Sequence, residues 1–422
     1  MSEKIYPQKN LLFRLPWSMN ESPIGWVEVT DICNIHCKGC YRINKDGHKP
    51  LKNIQDDILF LQKWRKCDTI SLAGGEAILH PEIREIIQFI HDHGMKCMVI
   101  TNGLALTKEL LTDLRDVGLT GVSFHIDSTQ KRPETRGKKN PGELDLNPLR
   151  LHFANLLAEV GGLTSSFGIT VDSKNYHEIP QFVQWAIDNI NVVNTLTFIT
   201  YRGMPVTKGL EYYANGKKID IEPRTLGYTI TEDEFDMITI KSQDVYAIIK
   251  EHFPCYEANS YLGGTIDHSS FKWLIGNIIL NSKGDMFGAY GSKAMEIMQF
   301  IYHFIYGRYI VHLKKKKFGK KIFVFFPFDK IVRKTLSRYL KHVMINPLRI
   351  FHPLKALNIG IIQAPDFLDD GRADMCDACP DLCVFEGKLV NSCRLDEYIK
   401  FGNMVHFHVN DENIAKRLTH QS

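Results

Sequence analysis

The sequence predicts an α/β fold in which a partial (β/α)6 barrel is followed by a C-terminal auxiliary domain with a basic aromatic helical insertion. Through the first 250 residues, short β-branched runs alternate with amphipathic stretches of helix length, which is typical of βα units around a parallel sheet. After Pro254 this alternation stops, and the second half of the chain is richer in aromatic, basic and clustered cysteine residues. A chain of 422 residues is long enough for two or three such units.

Six strands and six helices are predicted in the first unit. The strand patterns fall at residues 26–30, 69–73, 97–101, 121–126, 166–171 and 195–201. The helical patterns fall at residues 54–64, 81–93, 108–117, 144–160, 179–190 and 231–250. Thr231 and Glu234 have the spacing of a capping box, so the sixth helix is expected to begin at Thr231. Beyond this unit, residues 271–280 predict a strand that enters a turn.

These patterns divide the chain into five segments. We expect an N-terminal extension (1–22), a barrel core (23–252), the start of a C-terminal domain (253–293), the basic aromatic insertion (294–360), and an auxiliary cysteine segment with the tail (361–422). No apolar run reaches the length of about 18 residues that a transmembrane helix requires, and the N-terminus lacks the apolar core of a signal peptide. We therefore expect a cytoplasmic protein whose ten cysteines do not form a secreted disulfide framework.

The net charge of +4 conceals a strong asymmetry. Residues 307–355 contain fourteen of the 52 basic residues and one of the 48 acidic residues, so this segment carries +13 and the rest of the chain −9. Aromatic residues are interleaved with these cations, a composition that suits peripheral contact with an anionic membrane, here the inner membrane face. No nucleic-acid partner is expected because no nucleic-acid-binding motif accompanies the charge. The alternative is an ordinary helical insertion with aromatic core residues and solvated lysines, including those at 314–317.

Three cysteines follow the first predicted strand at spacings of three and two residues. Cys33, Cys37 and Cys40 lie where the carboxyl ends of barrel strands place active sites. Three soft thiolates so close together suit an iron–sulfur cluster, and three ligands leave one iron of a cubane open to bind another molecule. Spacing alone also allows a structural zinc ion with a fourth ligand such as His36.

Residues with ligand-binding chemistry follow the next three strands. They are Gly74, Gly75 and Glu76 after the second strand, Asn102 after the third, and Ser123, His125 and Asp127 at the end of the fourth. A glycine pair lets backbone approach a ligand, and a carboxylate holds a cation such as an ammonium group. The last three residues alternate along one strand and are therefore expected on one face.

In this order behind a Cys-x3-Cys-x2-Cys motif, these residues resemble the radical S-adenosylmethionine (radical SAM) superfamily over roughly residues 23–250. The resemblance implies a [4Fe–4S] cluster on Cys33, Cys37 and Cys40 whose open iron chelates S-adenosylmethionine. It further implies cofactor-binding positions at Gly74, Gly75 and Glu76 for the methionyl ammonium, at Asn102, at Ser123, His125 and Asp127 for the ribose or carboxylate, and at Tyr41. One departure is Gly39, where the family commonly has an aromatic residue that packs near the adenine.

The resemblance also implies an activity. Such enzymes take one electron from a reductant such as flavodoxin or ferredoxin and cleave S-adenosylmethionine to a 5′-deoxyadenosyl radical, which abstracts a hydrogen atom from the substrate. Together with the basic aromatic segment, this favours a small-molecule, apolar or lipid-like substrate. The alternatives are a peptide-modifying maturase of the SPASM kind and a non-enzymatic metal-binding or electron-transfer module.

A second cysteine cluster lies near the C-terminus, at spacings of two, three and nine residues: Cys376, Cys379, Cys383 and Cys393. Four ligands complete either a cubane or a tetrahedral zinc site. The resemblance implies an auxiliary [4Fe–4S] cluster of SPASM or twitch type. Gly288 stands where such domains usually supply another cysteine, so one auxiliary cluster is expected. Cys255 is either a further ligand or, like Cys67 and Cys97, a buried apolar residue.

Overall fold

The computed structural model describes residues 5–135, 137, 141–312 and 319–410, so the lysines at 314–317 and the end of the tail lie outside the described residues. Six parallel strands pair in chain order: Ile24–Thr30 (β1), Thr69–Gly74 (β2), Lys96–Thr101 (β3), Leu119–His125 (β4), Thr164–Val171 (β5) and Thr195–Thr200 (β6). Helices alternate with them: Leu51–Arg65 (α1), Ile83–Asp92 (α2), Lys108–Asp116 (α3), Asn147–Val160 (α4), Ile179–Asp188 (α5) and Ser242–His252 (α6). The partial (β/α)6 barrel predicted from the sequence is confirmed.

The core lies between the strands and the helices. In α2 the buried residues are Ile83, Ile86, Ile87 and Ile90, a spacing that places them on one helix face. On β4, Val122 and Phe124 are fully buried against the helices, whereas Ser123 and His125 are only half-buried. Because successive strand residues point to opposite faces, the polar members of this strand line the inner side of the barrel.

The sheet continues beyond the sixth strand. Further strands at Glu257–Leu262 (β7), Trp273–Asn281 (β8) and Leu354–Gln363 (β9) extend it, and β9 pairs in parallel with β6 so that Gln363 lies opposite Thr200. β8 is antiparallel to β9 and β7 is antiparallel to β8. β9 was not predicted, and through it the sheet crosses the predicted segment boundary at residue 252. The segment bounds themselves stay a prediction.

The sixth helix differs from its prediction. The residues expected to form one helix from Thr231 form a 3-10 helix, Glu232–Ile238, and then the separate helix α6. The capping box predicted at Thr231 is present. The chain is extended at Lys241, and α6 begins at the next residue. The backbone N–H of Ser242, which has no partner within the helix, donates to Gln363 Oε1 at 2.9 Å.

The remaining elements are short or belong to the insertion. Between β8 and β9 lie Ser292–Tyr306 (α7), the 3-10 helix Gly319–Phe325, Lys330–Ile345 (α8) and the 3-10 helix Pro347–Phe351; Leu395–Phe401 (α9) follows later. The short strands are Phe13–Arg14, Met204–Pro205, Leu210–Ala214, Lys217–Ile219, Thr229–Ile230, Met286–Gly288, Asp366–Phe367, Ala373–Asp374, Leu382–Phe385, Lys388–Asn391 and His406–Val409. The other 3-10 helices are Lys9–Leu11, Ala77–Leu79, Pro133–Thr135, Leu144–Leu146, Tyr176–Glu178 and Ser392–Arg394.

The insertion packs on the edge of the sheet where the parallel strands begin. Tyr302 Oη donates to Asp68 Oδ1 at 2.8 Å, immediately before β2. Lys96 Nζ, at the start of β3, donates to the carbonyl of His312 at 2.7 Å. The first cysteine cluster follows the opposite, carboxyl end of β1, and a six-residue strand spans about 20 Å. The helices within the described residues include none long and apolar enough to cross a bilayer.

A buried ion pair should be a sensitive point of this fold. Arg150 donates to the carbonyl of Ile126 after β4 and pairs with the buried Glu143, so Arg150→Met would leave a buried carboxylate without its cation. We expect a loss of about 3–5 kcal/mol in the free energy of unfolding, measured by denaturant titration. The control Arg84→Met breaks a pair with Asp113 whose partners are both half-exposed, and should cost about 1 kcal/mol or less. Equal losses in the two variants would contradict this account.

Candidate functional site

The loop after β1 carries the first three cysteines and is pressed against the end of β2. The backbone N–H of Gly75 donates to Thr30 O at 2.7 Å, and that of Glu76 donates to Ile32 O at 2.8 Å. A Cβ atom on Gly74 would lie 2.3 Å from Thr30 O, and one on Gly75 would lie 2.3 Å from Ile32 O. Gly74 also has a φ of +126°, so both positions require glycine for this close approach.

The same loop is held on its other side by the segment after β4. The backbone N–H of Lys38 donates to Thr129 O at 3.2 Å, and that of Lys131 donates to His36 O at 2.9 Å. Lys38 also forms an ion pair with Glu234 at 2.7 Å. Three separate segments of the chain therefore fix the loop at the carboxyl edge of the barrel.

Two amide side chains hydrogen-bond the cysteine sulfurs. Asn102 Nδ2, after β3, lies 3.9 Å from Cys33 Sγ and donates to Asn34 Oδ1 at 2.7 Å. The side chain of Gln130 hydrogen-bonds Cys37. Hydrogen bonds to sulfur are among the features that set the reduction potential of an iron–sulfur cluster. Asn102 was predicted at the site, whereas Gln130 was missed because no spacing rule connects it with the cysteines.

The three thiols fit a metal cluster by their chemistry. Burial raises the pKa of Cys40 to about 11 and also raises the pKa values of Cys33 and Cys37, and the charge of Cys33 adds to the rise at Cys37 and Cys40. Metal coordination deprotonates thiols and supplies the positive charge that such a group needs. A cubane binds each thiolate on a different iron. In the described part of the chain, no three Cys, His, Asp or Glu side chains converge on a single metal ion.

Glu76 is buried between β2 and β3, and its carboxylate is hydrogen-bonded within the protein. Oε2 accepts from the backbone N–H of Asn102 at 2.7 Å, and Oε1 accepts from that of Ile78 at 3.4 Å. Burial raises the pKa of Glu76, while these donors act in the opposite direction. The side chain thus joins the ends of two strands beside the cysteine loop. Its contact with a ligand ammonium stays a prediction.

His125 and Asp127 are brought together as their alternation predicted. His125 Nε2 lies 2.7 Å from Asp127 Oδ2, and Asp127 also accepts from the backbone N–H groups of Thr129 and Thr170. Burial opposes the charge on His125, but the nearby carboxylate outweighs it and raises the pKa of the ring. Asp127 is fully buried, and its carboxylate is hydrogen-bonded within the protein. Ser123 and His125 are half-buried and face the inner side of the barrel.

Tyr41 belongs to a buried network that the sequence did not predict. Its hydroxyl donates to Glu28 Oε1 at 3.0 Å, and the indole of Trp26 donates to the same oxygen at 2.7 Å. The guanidinium of Arg42 lies 3.5 Å from Glu28 Oε2 and also pairs with Asp396 of the C-terminal segment. Tyr41, which follows the third cysteine, is thereby attached to β1. Its neighbour Arg42 connects it with the segment that carries the second cysteine cluster.

Gly39, the position that departs from the family motif, is covered by the aromatic ring of a residue distant in the sequence. Gly39 has a φ of +70°, and a Cβ atom there would lie 2.3 Å from Cε2 of Tyr201. Tyr201 follows β6 and is almost completely buried. An aromatic ring therefore lies against the loop at Gly39 although the sequence places it 162 residues away.

The four C-terminal cysteines are gathered in one segment that packs on β1 and α1. The thiols of Cys376 and Cys379 hydrogen-bond each other, which raises the pKa of Cys376 and lowers that of Cys379, and Cys379 also acts electrostatically on Cys383 and Cys393. The buried Arg65, at the end of α1, donates to Cys379 O at 2.8 Å. The four cysteines thus lie in one segment, and their role as metal ligands stays a prediction.

The other cysteine predictions concern positions away from this segment. Cys67 and Cys97 are buried in the main core. Cys255 Sγ lies 3.6 Å from the sulfur of Met286. At Gly288 a Cβ atom would lie 2.2 Å from Thr335 Oγ1, so α8 of the insertion packs where an additional cysteine was considered.

A polar cavity of about 290 Å³ lies at the carboxyl end of β9, close to the end of β6. Charged and polar side chains dominate its lining, among them Lys241, Ser242, Asp267, Gln363, Asp366 and Asp374. Asp366 pairs with Arg202, immediately after Tyr201, and with the buried Lys272 at 2.5 Å. The groups around this cavity are thus largely paired with one another.

Comparison with known proteins gives a family match for the part of the chain that carries the first cysteine cluster. The sequence profile of the radical SAM superfamily matches residues 27–186, which contain the end of β1, the first cysteine cluster and β2 to β5. The chain is 28% identical over 176 residues to a GTP 3′,8-cyclase of Vibrio parahaemolyticus, covering 38% of this chain and 50% of that protein. It is 26% identical over 174 residues to an Fe-coproporphyrin III synthase of Methanosarcina barkeri, covering 39% and 41%. The chain therefore spans half or less of these relatives.

A solved structure gives a weaker likeness. Streptococcus suis SuiB bound to S-adenosylmethionine matches 45% of this chain and 42% of its own chain, with 15% identity and a TM-score of 0.35.

The contact between Gly39 and Tyr201 predicts a clash and its rescue. Gly39→Ala should destabilise the protein by more than Gly94→Ala, because Gly94 has nearly the same φ, +72°, but open space around it. The left-handed backbone alone costs about 1–2 kcal/mol in both variants. Adding Tyr201→Ala should reduce the excess loss at Gly39 and leave the loss at Gly94 unchanged, as measured by thermal unfolding. No rescue at Gly39 would contradict the contact.

The pair of His125 and Asp127 predicts a pH dependence. Because the folded pKa of His125 is raised, the pair stabilises the fold fully below the ordinary histidine pKa of about 6.5 and loses this contribution as pH rises through the folded value. The stability difference between the wild type and His125→Gln should therefore shrink from pH 6 to alkaline pH. His177→Gln, at an exposed histidine, is the control. A difference that grows with pH would refute the assignment.

Proposed function

Because residues 27–186 are a radical SAM domain, we propose that the chain is an enzyme that uses S-adenosylmethionine and a [4Fe–4S] cluster held by Cys33, Cys37 and Cys40. The observation that carries this proposal is the three-thiol loop fixed at the carboxyl edge of the barrel. Zinc with His36 is the weaker assignment, since the side chain of His36 is exposed and the family supplies an iron–sulfur site.

A [4Fe–4S] cluster held by Cys33, Cys37 and Cys40 would supply one-electron reduction of S-adenosylmethionine, with a flavodoxin- or ferredoxin-like protein as the electron source, for hydrogen-atom abstraction from the substrate. The protein contributes position and shielding from water. Gly74 and Gly75 allow the close backbone approach, Asn102 orients the Cys33 side of the loop, and Ser123 and His125 face the inner side of the barrel.

We assign Tyr41 and Glu76 supporting positions. Tyr41 is bonded to Glu28, and Glu76 is bonded to the backbone after β3, so both act on the cofactor site through the segments they hold. Asp127 fixes the ring of His125 and keeps it protonated over a wider pH range. These side chains orient groups that face the cofactor.

For the C-terminal segment we propose an auxiliary [4Fe–4S] cluster on Cys376, Cys379, Cys383 and Cys393, as in SPASM-like domains. The presence of four thiols in one packed segment supports it, and a tetrahedral zinc ion is the alternative. The buried Arg42 network connects this segment with the loop of the first cluster, which would keep the two sites in a fixed relation.

The substrate class rests on two different observations. The exposed apolar side chains of the insertion support the apolar or lipid-like substrate expected from the sequence. However, the insertion lies at the amino edge of the strands, whereas the polar cavity lies at the carboxyl edge near Tyr201. That cavity favours a polar substrate, including a peptide, and we therefore keep the SPASM-type maturase as the second candidate. We also propose peripheral contact with an anionic membrane.

The activity is tested by product analysis. Anaerobically reconstituted and reduced protein should convert S-adenosylmethionine to 5′-deoxyadenosine, measured by liquid chromatography. Alanine at Cys33, Cys37 and Cys40 together should abolish the product, whereas Cys255→Ala should retain it, because Cys255 lies beside Met286 rather than in the loop. Product formation by the triple variant, or none by the wild type, would overturn the proposal in favour of a non-catalytic metal module.

Iron counting separates the two metal assignments at the C-terminus. With two cubanes, the wild type should contain about eight irons, and alanine at Cys376, Cys379, Cys383 and Cys393 should leave about four. With zinc instead, the wild type would contain about four irons and one zinc, and the same variant would lose only the zinc.

A further inference from the structure

We infer that residues 319–351 form a docking face for an anionic lipid bilayer, and that docking turns the cysteine loop toward the aqueous phase. The docking face comprises the exposed side chains of the two 3-10 helices and α8 within these residues. The inference deepens the membrane contact proposed above by assigning its surface and its orientation.

Large apolar side chains project from several elements of the docking face. They are exposed by 65% at Phe328 and by 79% at Phe351. The others of this kind are Val324, Phe326, Leu340, Met344, Ile345, Leu348 and Ile350. Beside them, an open groove of about 420 Å³ runs along α8 and is lined by Phe326, Leu336, Leu340, Met344, Arg333 and Lys341. Several exposed large apolar side chains within one segment are typical of a surface that binds a partner.

The charge of the docking face is almost entirely positive. Residues 319–351 contain eight basic residues, Lys320, Lys321, Lys330, Arg333, Lys334, Arg338, Lys341 and Arg349. Their one acidic residue, Asp329, is buried at the start of α8, where it accepts from the backbone N–H groups of Ile331 and Val332. The acid is thus used as a helix cap, and the exposed cations face outward with the apolar side chains.

An anionic bilayer fits both properties at once. Its headgroup region attracts lysine and arginine, and its acyl boundary accepts apolar side chains that project to different sides of short helices. Nucleic acid would match the cations but leave the aliphatic side chains in water. A protein partner would need an acidic groove that also accepts apolar side chains from several elements.

The attachment of the insertion sets the orientation. Tyr302 bonds Asp68 before β2, Arg308 bonds Gly94 before β3, and Asn281 of β8 pairs with Leu354 of β9, all at the amino edge of the parallel strands. The cysteine loop and the polar cavity lie at the carboxyl edge. A chain docked by residues 319–351 would therefore present the cysteine loop and the polar cavity to the aqueous phase.

Vesicle sedimentation of the reconstituted protein tests the surface. Phosphatidylglycerol-containing vesicles should retain the protein in a salt-sensitive way and phosphatidylcholine vesicles should not. Arg333→Gln with Lys341→Gln, and separately Met344→Ser with Phe351→Ser, should each weaken binding by about tenfold or more. The matched controls Lys131→Gln with Lys174→Gln, and Ile399→Ser, change exposed residues elsewhere and should bind as the wild type. Binding that ignores lipid charge or the docking-face variants would overturn the proposal.

Photo-crosslinking tests the orientation. Benzoylphenylalanine in place of Phe351 should crosslink to lipid, whereas the same group in place of Lys174, in the loop after β5 at the carboxyl edge, should not. Lipid crosslinks at position 174 equal to those at 351 would overturn the orientation. Docking-face variants should still form 5′-deoxyadenosine at the wild-type rate without vesicles. A failure to form it in the wild type as well would count against the proposed activity and not against docking.

Discussion

The close backbone contact between the glycine pair after β2 and the start of the cysteine loop is the constraint on which the rest of the site depends. Gly75 and Glu76 donate to carbonyls of Thr30 and Ile32, at a distance that no side chain on Gly74 or Gly75 would permit. With the loop fixed there, Asn102 reaches Cys33. Glycines that the family motif suggests as ligand contacts thus have a structural requirement of their own.

The sequence predicted the local part of this arrangement and missed the distant part. Six strands, the thiol loop and the His125–Asp127 pair follow from alternation and spacing within a few residues, which are properties of the backbone itself. The ring of Tyr201 on Gly39 and the pairing of Arg42 with Asp396 join residues far apart in the chain. β9 was missed for the same reason, because its pairing with β6 depends on the sheet already formed.

The fold places the basic segment of the chain at one edge of the sheet. The basic residues belong to an insertion that leaves and re-enters the sheet between β8 and β9, at the edge opposite the thiols. The thiol loop and the proposed docking face are therefore separated by the length of the strands, about 20 Å. An anionic surface that attracts the insertion would keep its negative charge away from the thiol loop. The polar cavity near Tyr201 would stay open to water.

The most direct test of the central assignment is electron paramagnetic resonance of the reduced protein with alanine at Cys376, Cys379, Cys383 and Cys393. Only the loop of Cys33, Cys37 and Cys40 then remains to hold a cluster, and its three ligands leave one iron open. We predict a reduced [4Fe–4S] spectrum whose g values shift when S-adenosylmethionine is added. A cluster spectrum that does not change on addition would contradict binding at an open iron, and no cluster spectrum at all would contradict the three-thiol site.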